Sequence, residues 1–250
     1  MINVALLGGV IFLLNRRWSE WLTKHSVPFA AGVLVTVAIA GLMPEAVEVA
    51  GEEVFWWVLG AFLVAFGFEQ VLWGLHHHFG EDHNEIHHSS VALVIVGDTI
   101  HNFIDGVAIA ASFIIHPGLG LITAVSTFLH EVPHEIGDFG IMLKAGWRRT
   151  RVFWVNVLSA STTFLGAGFV LLFSEQIELQ GRLLAVAAGL FLYLGASDFL
   201  PQITERKEER RRMAMALFLG VLIMTGVFLA VPHGEEERVG QESLEDQVEF

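Results

Sequence analysis

Eight apolar stretches run along the chain, separated by short polar or charged connections. They fall at roughly 2–22, 28–48, 54–75, 90–115, 118–143, 152–173, 182–201 and 213–231, each close to the ~20 residues that a helix needs to cross a ~30 Å hydrocarbon core. The pattern predicts an all-α membrane protein with eight transmembrane helices. The first stretch has the shortest purely apolar part, Ile2–Leu14. Arg16 and Arg17 would let its helix continue by snorkelling to the headgroups, and they follow the apolar run rather than precede it, the reverse of a cleavable secretion signal. Residues 1–234 read as one transmembrane domain and residues 235–250 as an acidic, disordered tail.

The basic residues alternate with the spans. Arg16, Arg17 and Lys24 fall between spans one and two. Lys144, Arg148, Arg149 and Arg151 follow span five, and Arg206, Lys207, Arg210, Arg211 and Arg212 follow span seven. These are twelve of the 14 Lys and Arg residues, and all lie on one side if the chain crosses an even number of times. By the excess of Lys and Arg on cytoplasmic loops, that side is cytoplasmic and both termini face out. The absence of a targeting segment and the short chain suggest a prokaryotic plasma membrane.

Composition agrees with the spans. Hydrophobic residues make up 54% of the 250 and charged residues 16%, against about a quarter charged in soluble domains. The net charge of −13 offers no basic surface for nucleic acid, and seven carboxylates against one arginine in residues 235–250 supply much of it. No cysteine is present, which excludes disulfides and thiolate metal sites. Any metal must be held by imidazole, carboxylate, amide or backbone oxygen.

Candidate chemistry lies inside two adjacent spans. Span four contains Asp98, His101, Asn102 and Asp105 at helical spacing on one face, and span five contains His130, His134 and Asp138 on one face with Glu131 and Glu135 beside it. Both motifs sit near mid-span, and the connection at His116–Gly120 is short, so two polar faces meet near the bilayer centre. A carboxylate there costs about 2.5–3.5 kcal/mol. A divalent ion removes the difficulty, since imidazole with carboxylate suits zinc and its neighbours. His101, Asp105, His130 and His134 form one ligand set on this reading, with Asn102 and Glu131 placed for a second ion or a transit position. Pro133 frees the Leu129 carbonyl and lets span five bend around the site. An interhelical polar lock without metal is the competing interpretation.

The motifs HNFIDG (101–106) and HEVPHEIGDF (130–139) resemble the signatures of the ZIP (Zrt/Irt-like) family of metal transporters, in the branch whose fifth helix reads HExPHE. The resemblance implies import of divalent metal, zinc foremost with iron or manganese as other substrates, into the cytoplasm by alternating access. It implies ligands at His101, Asn102, Asp105, His130, Glu131 and His134, and movement of the helix block that holds them. Some members add a carboxylate from span six. Here that span offers only Asn156, Ser159, Ser161, Thr162 and Thr163.

Further residues are placed to line a route or stand behind the ligands: Asp98, Glu135, Asp138, Glu69, Met43 and Asp198. A tract at about 76–89, with His76, His77, His78, His83, His87 and His88, reads as an accessory cytoplasmic metal-binding loop. The rival function is an intramembrane zinc metalloprotease, because HEVPH fits the pattern of two zinc histidines and a general-base glutamate. Expected partners are divalent ions and the lipid bilayer; the sequence leaves the oligomeric state open, a homodimer among the assemblies it allows.

Overall fold

A computed structural model describes residues 16–79, 88–173, 177–199 and 210–232, with helix and no strand among them. Helix α1, Arg16–Val37, passes through a π-helical turn at Ala38–Leu42 into α2, Met43–Ala50. Helix α3 covers Val54–Phe79, α4 His88–Ile115 and α5 Pro117–Lys144. Span six is two helices, α6 (Arg149–Ala160) and α7 (Thr162–Phe173), meeting at Ser161. Helix α8, Ile177–Tyr193, continues as a π-helical turn at Leu194–Phe199, and α9 is Arg210–Ala230.

Six helical segments are long and apolar enough to cross a membrane. Helix α5 is 28 residues, or ~42 Å at 1.5 Å per residue, and its ionisable motif is what lowers its hydropathy. The expected connection between spans one and two is corrected by the structure. Arg16, Arg17 and Lys24 belong to the helix that enters span two. No glycine or proline stands between Arg16 and Pro28 to stop it, and Arg, Leu, Glu and Lys are competent helix formers. The bulk of the expected first span, residues 2–15, and the acidic tail lie outside the described residues. The histidine tract is also shorter as a loop than expected, because α3 runs through His78 to Phe79 and α4 already starts at His88.

Helix ends follow local chemistry. His116 caps α5, its Nδ1 accepting from the Gly118 N–H at 3.0 Å, with Pro117 in the first turn where a missing N–H is harmless. Gly146, at φ 82° just beyond α5, supplies the left-handed residue that closes a helix C-terminus.

The helices pack as two groups. In one, α1 lies against α9, while α3 and α2 lie against α8. In the other, α4 lies against α7 and α5. The seam between groups runs where α5 meets α1 and α4 meets α8. Glycines mark the closest approaches within the groups, although α5 packs on α1 as extensively as on α4. A Cβ on Gly32 would strike the Leu217 carbonyl and one on Gly220 the Phe29 carbonyl, so α1 and α9 approach backbone to backbone. Gly106 and Gly166 do the same reciprocally for α4 and α7, and Gly189 brings α8 onto the Val58 carbonyl of α3. Without a hydrophobic force between helices in lipid, such close contacts supply much of the association. Among the described glycines, the one pressed on backbone across the seam is Gly118, at the Pro232 carbonyl. Large apolar side chains such as Trp56, Leu165, Leu172 and Leu222 are exposed on the outer faces, as lipid contact requires.

Gly166→Ala is therefore expected to lower the unfolding temperature in detergent, with overpacking of the order of 1–3 kcal/mol. Gly168→Ala, where a Cβ meets nothing within 4 Å, should leave it unchanged or raise it slightly. Equal melting of both variants would remove the packing argument.

Candidate metal centre

Helices α4 and α5 are antiparallel neighbours joined at His116, and their motifs face each other at one depth. Asp105 and Asn102 are 0% exposed, His130 1%, Glu131 2% and His101 7%. His101 Nε2 lies 3.0 Å from Glu131 Oε1 and 3.8 Å from Asp105 Oδ2. His130 Nε2 lies 3.3 Å from Asp105 Oδ2 and 4.0 Å from Glu131 Oε1. Ligand atoms around a tetrahedral zinc are ~3.3 Å apart, given bonds of about 2.0–2.1 Å. The four groups thus converge to near the spacing of one such ion, every ligand atom within 4.8 Å of the others.

Orientation of His130 is fixed from behind. Its Nδ1 is 2.9 Å from the Ser126 carbonyl; a carbonyl only accepts, so Nδ1 carries the proton and Nε2 presents its lone pair to the site. This is the outer hydrogen bond that metal-ligating histidines generally make. The Phe191 ring of α8 closes the other side, edge-on to His130 at 5.5 Å between centroids.

A second group lies one helical turn away. His134 Nδ1 is 3.7 Å from Asp98 Oδ1 and 4.0 Å from Asp138 Oδ2. Glu135 and Glu131 approach Asp98 as well, each offering an oxygen within 4.8 Å of the others. The rings of His101 and His134 are 5.0 Å apart between centroids, so the two groups adjoin.

Within this array, His101 Nε2, both Asp105 oxygens, His130 Nε2, Glu131 Oε1, His134 Nδ1 and both Glu135 oxygens are buried without a hydrogen-bond partner among the described residues. Buried polar atoms are otherwise paired almost without exception, and one orphan group costs of order 1–3 kcal/mol, more if charged. Eight such atoms in one place call for a shared cation.

The structure divides the residues singled out from the sequence. His101, Asp105, His130 and Glu131 form one group, while His134 joins Asp98 and Asp138. Asn102 donates to the Asp98 carbonyl at 3.0 Å and to Asp98 Oδ1 at 2.8 Å, so its amide nitrogen orients Asp98. Glu69 of α3 lines a cavity with Asp98, His101, His134 and Asp138. Met43 packs on the apolar core and does not line that cavity. The backbone of Asp198 lies in the π-helical turn; its side chain, the side chains of His76, His77, His78 and His88, and all of His83 and His87 lie outside the described residues.

Sequence reasoning gave span six no role, yet its polar residues position the site. Thr163 donates to Asn102 Oδ1 at 3.4 Å, Thr162 reaches the Thr99 carbonyl at 2.9 Å, and Ser159 and Thr99 share a hydrogen bond of 3.2 Å. Their run of hydroxyls in an apolar span is the sequence signal that could have shown it.

A family model described as ZIP Zinc transporter matches residues 81–230, more than half of the chain. The chain belongs to the ZIP family. It is 30% identical over 233 residues to zinc transporter ZIP13 of Pongo abelii, covering 85% of this chain and 69% of that protein. It is 36% identical over 144 residues to zinc transporter foi of Drosophila melanogaster, covering 57% of this chain and 20% of that protein. The metal cation symporter ZIP14 of Bos taurus is 36% identical over 145 residues, covering 56% of this chain and 29% of that protein. The chain therefore spans less than a third of the length of the last two. Membership makes the chain an integral membrane protein, and the metalloprotease interpretation finds no support. His130 and His134, which would have to share one catalytic zinc, fall in different groups.

Asp105→Asn should weaken zinc binding to the purified protein at least tenfold by calorimetry, because it removes a charge at the centre of the first group. Zinc should raise the melting temperature of wild type by mass action and raise that of Asp105→Asn less. An unchanged affinity in the variant would remove Asp105 from the site.

Proposed function

We propose that this ZIP-family chain carries divalent transition metal ions, zinc foremost, across the membrane and into the cytoplasm. The observation that carries the proposal is the set of imidazole and carboxylate atoms buried between two membrane helices without hydrogen-bond partners. The relatives named as zinc transporters and as a metal cation symporter support the same reading. In it His101, Asp105, His130 and Glu131 hold the ion, His134 takes part from the adjoining group, and Asn102 keeps Asp98 in place. Two imidazoles with two carboxylates favour zinc or iron over magnesium and calcium, which prefer oxygen alone.

Movement of the helix block is part of this proposal, and the packing supports it. The donors of both groups belong to α4 and α5; α4 packs on α5 and, through glycine-mediated backbone contact, on α7, whereas among the described glycines Gly118 alone presses on backbone across the seam. Shifting the α4–α5–α7 group along that seam exposes the ion first to one side and then to the other. The basic ends of α5, α6 and α9, at Lys144, Arg148, Arg149 and Arg210–Arg212, are the cytoplasmic side by their charge, in a plasma membrane of prokaryotic type with both termini outside.

Proteoliposomes with a zinc-sensitive dye inside test this directly. Wild type should admit zinc well above empty vesicles, and His130→Ala should reduce the initial rate at least tenfold. Glu131→Gln, which keeps an oxygen near His101, should fall less. Folded wild-type protein that admits no zinc, iron or manganese would sink the transport reading.

A further inference from the structure

A cavity of about 510 Å³ lies between α3 and α4. Both helices pack on α8 but scarcely meet each other, so α8 forms the floor, through Leu190, Tyr193 and Leu194, and α3 and α4 form the walls. Along α4 the lining runs from Val94 to Ile104, about 15 Å of helix at 1.5 Å per residue, all of it within the apolar span Val91–Ile115. Val64, Phe68 and Ile100 belong to the lining and are also 69%, 41% and 40% exposed. Apolar side chains exposed at this depth face acyl chains, not water. The mouth of the cavity therefore opens sideways into the bilayer.

The walls and the inner end differ in chemistry. Apolar walls give a metal ion no ligand, whereas an apolar pocket of this size with a few convergent polar groups is the usual form of a small-molecule site. The polar groups are Glu69, Asp98, Asp138, His101 and His134, in which carboxylates outnumber imidazoles three to two. His101 Nε2 and His134 Nδ1 have no hydrogen-bond partner among the described residues. Space is also open beside the α4 wall, since a Cβ on Gly97 would meet nothing within 4 Å.

We propose that this cavity binds a single-chain amphiphile with a protonated amine head, which enters sideways from the bilayer and lodges its ammonium among Asp98, His134 and Asp138. Carboxylates at this depth are stabilised by any cation that reaches them, and the lipid side delivers cations that carry their own apolar tail. An ammonium offers three donors and no acceptor, which suits oxygens that only accept; an anionic head would be repelled by the same groups. The amine takes the place of the metal, because Asp98, His101, His134 and Asp138 serve both. Its binding rests on the cavity, and its effect on zinc flux rests also on the transport reading.

Dodecylamine with a diazirine in its chain, added to metal-stripped full chain in lipid nanodiscs, tests the site by photolabelling and peptide mapping. Label should fall on Val64, Phe68, Ile100 and Leu190 at least fivefold above Leu172 and Leu222, which are exposed elsewhere. The matching dodecanol probe should label the same four residues at least fivefold less. Saturating Zn²⁺ should remove the amine label from wild type, a result that needs no variant. Gly97→Phe should reduce the label at least tenfold and still bind Zn²⁺ by calorimetry. Gly168→Phe, in open space on α7 away from the cavity, should label as wild type does. In proteoliposomes, dodecylamine below the level at which empty vesicles leak should lower zinc influx at least fivefold in wild type and less than twofold in Gly97→Phe. Even labelling of all lipid-facing residues, equal labelling by amine and alcohol, or label that zinc leaves in place overturns the site. Undiminished influx through a labelled wild type overturns the displacement of metal. Zinc-sensitive label on a wild type that transports no zinc would instead overturn the transport reading and leave the amine site standing.

Discussion

Charge that cannot be left alone in a hydrocarbon layer governs this protein. Five buried carboxylates, two buried imidazoles and the partly exposed His134 lie on α4 and α5 within the helix bundle, where each isolated charge is disfavoured by several kcal/mol. They do not resolve this by pairing off through aligned hydrogen bonds, as buried polar networks do when their task is to fasten helices. His101 and Glu131 are 3.0 Å apart but not aligned as donor and acceptor. The arrangement is complementary to a small cation rather than to itself. Helix order and the His116 turn bring the two faces to one depth.

The surrounding structure keeps those faces in register. Gly106 lies next to Asp105 in sequence, and its lack of a side chain admits the Thr163 carbonyl. Close approach there is what lets Thr163 reach Asn102, and Asn102 in turn holds Asp98. Tight packing and site geometry are thus one device on α4 and α7. On the far side, Phe191 of α8 abuts His130 through an aromatic edge, a contact that can slide without breaking a hydrogen bond.

Much of this was legible in the sequence because the responsible physics is local. Among the described residues, hydropathy marked six spans to within a few residues, since a lipid-crossing helix must be apolar over a fixed length. Helical periodicity put Asp98, His101, Asn102 and Asp105 on one face, and the short connection at His116–Gly120 made α4 and α5 neighbours. Arg16 to Lys24 misled because polarity suggests a loop, whereas most of these residues are competent helix formers and the helix runs on through Pro28. The division of donors was not legible either. His130 and His134 share a face four residues apart, but which way each ring turns depends on partners across the helix pair: the Ser126 carbonyl and Asp105 for one, Asp98 and Asp138 for the other. The part played by Thr163 needed the third dimension, because only the packing of α7 on α4 shows what a hydroxyl in an apolar span touches.

Every donor from Asp98 to Asp138 comes from a single uninterrupted stretch of chain, two helices and the turn that joins them. The rest of the fold encloses that stretch and supplies a carboxylate, Glu69, at its margin. On the proposed function, choice of metal is then a local property of one short segment and is nearly independent of the frame that surrounds it. Selection acting on a new metal supply can rewrite a few positions there, exchanging an imidazole for a carboxylate or the reverse, while the helix contacts that make motion possible are left untouched. A lineage built on this plan can diversify in cargo without reinventing its machinery.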